Sequence, residues 1–234
     1  MIRAPGTVIG FAAIAAAATG CMGDIDPPWQ LSHDRIVAVR ADPPGITAGQ
    51  TSRIDALLAH KGQMTSVATP ELAAVTSPMS LSDVLSIRGG TWTVTAPGED
   101  RLAAARGELM LPAGAPVPLQ IGVSYGGQTL IATKTITLGQ PAANPTLDGL
   151  MIDGKPPGDP LTVGKLVNVP LSINASDADF DVTWLTSCGT MHDFDLPQAY
   201  LRVETADPQI GELGVVLRDA QGGVAWKTWP IHAE

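Results

Sequence analysis

The residues best suited to chemistry stand in the C-terminal third of the chain. Asp177-Ala178-Asp179-Phe180-Asp181 sets three carboxylates on alternate positions, and Asp193 and Asp195 follow a short stretch later. On an extended strand alternate residues share a face, so these acids crowd and repel unless solvated or neutralised. Five such oxygen donors suit a hard cation, and Ca²⁺ is the one cofactor the pattern invites. The spacing departs from an EF-hand loop, because Val182 stands where that loop needs Gly and Cys188 where it needs Glu. Solvated acids in an acidic loop account for the same run without a ligand. Nearby, Cys188-Gly189-Thr190-Met191-His192-Asp193 gathers soft and borderline ligands for copper or zinc. Zinc takes four ligands at fixed spacings, and the rest are not supplied here, so packing of Cys188 and Met191 and a surface imidazole at His192 are expected.

Catalytic signatures are missing from the sequence. There is no G-x-S-x-G elbow, no H-E-x-x-H and no G-x-x-x-x-G-K-[ST]. His33, His60, His192 and His232 lie far apart, and spacing assigns none of them an Asp partner. The reading is therefore of a non-enzyme with no catalytic residue. With 14 basic and 23 acidic residues the formal net charge is −9. Such a chain offers no basic surface to a phosphate backbone, which argues against nucleic-acid binding.

The N-terminus carries an address. Arg3 is followed by the apolar and small-residue run Val8 to Cys21, too short at its apolar centre to span a bilayer. A basic start, a short apolar stretch and small residues before the break describe a secretory signal over residues 1–20. Ala18-Thr19-Gly20-Cys21 resembles the lipobox of bacterial lipoproteins. That resemblance implies cleavage before Cys21, lipidation of its thiol and attachment to the membrane through the acyl chains. Met22, rather than Asp, follows the cysteine, which in this family points to the outer membrane of the cell envelope. Lipidation of Cys21 leaves Cys188 unpaired, so no internal disulfide is expected. Residues 21–34, with Pro27 and Pro28, read as an extended tether. Trp29 is expected to fold onto the first domain or to sit at the membrane interface.

Positioning falls to short strands. Hydrophobic residues make up 44% and charged residues only 16%, with 25 Gly and 20 Pro, a balance that favours turns and strands over long solvated helices. Ile36 to Arg40, Ser52 to Ala59, Thr91 to Thr95 and Val117 to Tyr125 all have strand character, and Gly126-Gly127 turns the last of these into Gln128–Leu138. The grammar then repeats. Pro156-Pro157-Gly158 before Thr162-Val163-Gly164 echoes Pro43-Pro44-Gly45 before Thr47-Ala48-Gly49, and Ala225-Trp226-Lys227-Thr228 echoes Ala132-Thr133-Lys134-Thr135. The implied fold class is all-β: two tandem immunoglobulin-like sandwiches, over residues 35–139 and 145–234, with Gln140 to Pro145 as linker. One larger sandwich is the competing layout. Phe180-Asp181-Val182-Thr183-Trp184 looks like the strand whose Trp fills a sandwich centre, and Leu213 to Trp226 resembles the last hairpin of bacterial Ig-like and PKD-like modules.

The offsets between the echoes leave the first copy longer, and the surplus is placed as an insertion over 60–90. Thr69-Pro70-Glu71 and Ser80-Leu81-Ser82-Asp83 resemble helix starts. Leu72, Val75, Met79, Leu81 and Leu85, with Val84 and Ile87, would give the insertion an apolar side that covers a sheet edge or docks a partner. Function is thus expected to be non-catalytic: a membrane-anchored envelope lipoprotein that binds or scaffolds another protein. The alternatives are a calcium- or carbohydrate-binding module and an accessory subunit of an exported enzyme.

Overall fold

The computed structural model describes residues 27–175 and 179–234. The signal and lipidation readings at residues 1–21, and Asp177, lie outside them. Two sandwiches are built, each from two sheets. In the first, β1 (Arg35–Asp42), β3 (Thr51–His60), β7 (Thr91–Thr95) and β6 (Leu85–Arg88) lie in the order β1-β3-β7-β6, and β4 (Gln63–Ala68) folds back on β3. Its second sheet runs β2-β9-β8-β5, from β2 (Gly45–Ile46), β9 (Leu130–Leu138), β8 (Val117–Tyr125) and β5 (Leu72–Ser77). The second sandwich has β10 (Met151–Ile152), β12 (Asn168–Ser172), β15 (Gln198–Arg202) and β14 (Thr190–His192) in one sheet. Opposite them are β11 (Leu161–Val163), β17 (Val224–Ala233), β16 (Ile210–Asp219) and β13 (Phe180–Thr186).

Both copies follow one path. In each, a short strand placed after the Pro-Pro-Gly motif crosses to the far sheet and runs parallel to the last strand: Gly45 beside Thr137, and Leu161 beside Ile231. Sheets ordered this way form the immunoglobulin-like sandwich. Alternation does the folding. Val117, Leu119, Ile121, Val123 and Tyr125 of β8 all point into the first core, while intervening Pro118 and Gln120 stay exposed. In the second core Trp184 is fully buried on β13, and its ring N–H donates to the Leu196 carbonyl at 3.0 Å. Gly126 and Gly127 take the positive φ the β8–β9 turn needs, at 58° and 67°.

Three local expectations are corrected. The 60–90 stretch is integral sandwich rather than a helical insertion: it holds β4, β5, a 3-10 turn (Met79–Val84) and β6. Thr69-Pro70-Glu71 leads into β5 because Leu72 to Val75 pair with Ser124 to Ile121, giving β8 its second neighbour. The helix of the first copy, α1 (Glu99–Glu108), lies elsewhere. Glu99 and Asp100 stand in its first turn, and Leu102 and Ala105 bury its inner side. Most of the surplus length therefore sits in residues 96–116 between β7 and β8, against 203–209 between β15 and β16. Last, residues 29–31, read as tether, are docked. Gln30 makes a parallel bridge to Thr186, Leu31 is fully buried, and Trp29 packs on the second core rather than the first. The open edge of β13 offers backbone groups that this segment satisfies. Among the described residues no helix is long and apolar enough to cross a membrane.

Candidate functional site

The two sandwiches meet sheet to sheet, along a seam. Strand β16 supplies its second side by alternation: Leu213, Val215 and Leu217 enter the second core, while Glu212, Gly214, Val216 and Arg218 face the first sandwich. The Glu212 carboxylate accepts the Met64 N–H at 2.8 Å. Met64 lies against the bare backbone of Gly214, where a Cβ would meet its terminal methyl at 2.9 Å. Val216 joins Leu31, Ala38, Leu57, Ala59, Leu185 and Val224 in an apolar cluster drawn from both sandwiches. Arg218 donates to the Val37 carbonyl at 2.8 Å and to the Thr183 hydroxyl at 3.1 Å. Burial pulls the Arg218 guanidinium below its usual range, and Asp181 partly offsets this.

Charged side chains bolt the same seam. Arg40 grips Asp55 through two hydrogen bonds, 3.0 and 2.6 Å, and lies 4.2 Å over the Trp226 ring of the other sandwich. Asn144, in the linker, donates to the Ala41 carbonyl at 3.0 Å and accepts the Val224 N–H at 2.9 Å. Lys134 reaches across a groove of about 460 Å³ to the Gly222 carbonyl, 2.5 Å away. Burial pulls its ammonium down to about 8, with Asp219 opposing the shift and Arg218 adding to it. Its counterpart in the repeat, Lys227, instead lies 5.3 Å over Trp229 of its own sandwich. No seam residue was singled out from sequence, although the unbroken apolar run Leu213 to Leu217 signals a strand buried on both faces.

The acids divide. Asp179, Asp181 and Asp195 line one open cleft of about 580 Å³, together with Arg218 and Asp219. Asp193, at φ 53°, turns away and lines separate hollows beside Ser172, Gln198 and Asn174. Among the described residues no three His, Cys, Asp or Glu side chains gather closely enough to hold a metal ion. The soft ligands part company as well. Met191 is in the core, His192 stacks on Tyr200 with ring centroids 4.5 Å apart, and the buried Cys188 thiol donates to the Pro208 carbonyl at 2.9 Å. Burial pushes that thiol up to about 11, assisted by the Asp207 carboxylate. His60, the last residue of β3, does find an acid, Asp34 at 2.8 Å, with both side chains exposed.

The apolar side expected over 60–90 is split by the strands. Val75 and Leu81 are core residues and Leu85 packs against the same core, whereas Leu72 (51%) and Met79 (59%) are exposed. Leu72 has company that sequence reasoning missed. Ser124 sits directly between Leu72 on β5 and Ile131 on β9, and Ile131 is 77% exposed. These residues flank a shallow hollow of about 370 Å³ floored by Gly122 and Ser124. Its outward neighbours, Ala74, Gly122 and Gln128, are uncharged.

The class this architecture defines is a chain of two immunoglobulin-like modules joined through their sheets. No protein-family model matches the sequence, and no curated protein matches it. Solved structures with some likeness include the two tandem V-type regions of VCBP3, a v-region-containing chitin binding protein. That likeness has 11% identity over 84% of this chain and 99% of that one, with a TM-score of 0.35. The N-terminal Ig1-2 module of the Drosophila receptor protein tyrosine phosphatase DLAR has 11% identity over 86% and 99%, at 0.30. The fibronectin(III)-like modules of Clostridium thermocellum CbhA have 12% identity over 84% and 94%, at 0.25.

Proposed function

We propose that this chain is an exported, lipid-anchored, non-catalytic component of a bacterial envelope, most readily at the outer membrane, that holds another envelope protein. The seam is the observation that carries this reading. Residues of both modules form one apolar cluster there, so the pair presents its remaining faces in a fixed relation, as a scaffold requires. Its outer surface offers open relief suited to a protein, with Leu72 and Ile131 as the aliphatic anchors. Affinity capture of the native protein followed by mass spectrometry is expected to return one dominant envelope protein, lost in a Leu72→Asp, Ile131→Asp double variant. Capture of the isolated chain alone counts against the reading. Anchorage through Cys21 predicts incorporation of radioactive palmitate that Cys21→Ala abolishes; equal labelling of both removes the anchor.

A second reading is calcium binding at Asp179, Asp181 and Asp195, which line one cleft without gathering into a metal-holding group. It predicts heat on calorimetric titration and a raised melting temperature with Ca²⁺. A flat titration and an unmoved melt at millimolar calcium eliminate it.

A further inference from the structure

Residues Pro27 to Leu31 touch more than the edge they pair with. The Leu31 N–H donates to the Thr186 carbonyl at 3.1 Å, and the Thr186 N–H donates to the Trp29 carbonyl at 3.0 Å. These bonds lay the segment along β13 of the second sandwich, parallel to it. The Leu31 side chain then enters the mixed cluster, where Ala38, Leu57 and Ala59 come from the first sandwich and Leu185, Val216 and Val224 from the second. Four residues later the chain enters β1 of the first sandwich at Arg35. One short run of backbone is therefore paired with one module, wedged between both, and covalently continuous with the other.

We propose that Pro27–Leu31 is a strap that locks the joint between the sandwiches, and that withdrawing it lets them part. The rest of the joint explains why it needs one. At the far end Asn144 clamps Ala41 to Val224, and between these ends the buried apolar cluster holds two alanines, two valines and three leucines, of which Leu31 is the strap's own, with Val37, Met64 and Trp226 packed against it. Leu31 belongs to neither module's own core, so its removal leaves both cores packed. Two backbone hydrogen bonds, the Leu31 side chain and Trp29 packed on the second core hold the strap, and a pull on its N-terminal side opens these contacts one after another rather than all together. Tension arriving from upstream of Pro27 thus loads Trp29 on the second sandwich first and Leu31 at the joint next. The geometry stands whether or not Cys21 carries lipid, so failure of the anchor and failure of the strap are separate results.

The full chain with Leu31→Asp tests this against the parent. Small-angle scattering should show a longer maximum dimension, and the seam amides of Met64 and Val224 should exchange about tenfold faster, while Ile121 and Val215 in the two cores keep their protection. Superimposable scattering with unchanged exchange at Met64 and Val224 overturns the strap. Should Leu31→Asp lose its sheet signal in circular dichroism, Leu31→Ala decides by thermal unfolding. One transition resolving into two supports the strap, and one transition merely moved to lower temperature overturns it.

Discussion

Cys188 illustrates how burial overrides side-chain chemistry. Its thiol is enclosed, bonded to a carbonyl and held protonated well above neutral pH, so it lacks the thiolate that reacts. In a Cys21→Ala background, a thiol reagent at pH 8 is expected to modify nothing in the folded chain and one thiol after denaturation. Lys134 makes the complementary case. In the folded chain it gives up its proton near pH 8, whereas an unfolded lysine holds it to 10.5. Between those values the unfolded chain binds more protons, so raising the pH stabilises the fold; below pH 8 both forms are charged and the cost of burial is fully present. Urea midpoints of the parent and Lys134→Met are expected to show the parent gaining relative to the variant from pH 8 to 10. A constant difference would mean that Lys134 titrates normally. The parity of Asp179 and Asp181 was legible, since alternate residues do line one cleft. The diversion of Asp193 was not, because a single positive φ redirects the chain there and no neighbour announces it.

Among the elements, strands with one buried face were the easiest to read. The alternation of β8 and the Gly-Gly turn after it specify a hairpin locally, and Trp184 follows the alternating Phe180 to Thr186 strand into the centre of the second core. Trp184→Ala is expected to cost about 3–5 kcal/mol, read from urea unfolding, since the surrounding core cannot close over so large a void. Gly45 predicts an effect from crowding. A Cβ there would stand 2.6 Å from the Gln140 carbonyl oxygen and 2.7 Å from the Ala142 nitrogen. Gly45→Ala should then destabilise by about 1–3 kcal/mol, because backbone rather than a pliable side chain must move. Strands β3 and β16 were harder. Leu57 and Val216 look like ordinary strand residues until their contacts across the chain are known, and those contacts join one sandwich to the other. Helix α1 escaped notice for a different reason: its run of alanines buries little and so gives no strong periodic signal.

At the scale of the whole molecule, what the repeat could not disclose is how the copies meet. Duplicated strand order specifies each sandwich by itself, but the joint depends on contacts that the duplication does not reproduce: Arg40 with Trp226, Met64 on Gly214, and Lys134 at Gly222 where its counterpart Lys227 lies over Trp229. The N-terminal strap adds a third party to that joint, and no repeat contains a counterpart of it.

Because each module gives the outside of one sheet to its sibling, two broad faces are left, β2-β9-β8-β5 on one flank and β10-β12-β15-β14 on the other. The first of these faces is not remote from the joint, because Lys134 on β9 bonds the Gly222 carbonyl of the second sandwich and β9 lines the seam groove. Whatever is laid over β9 beside Lys134 therefore meets the second sandwich as well as the first.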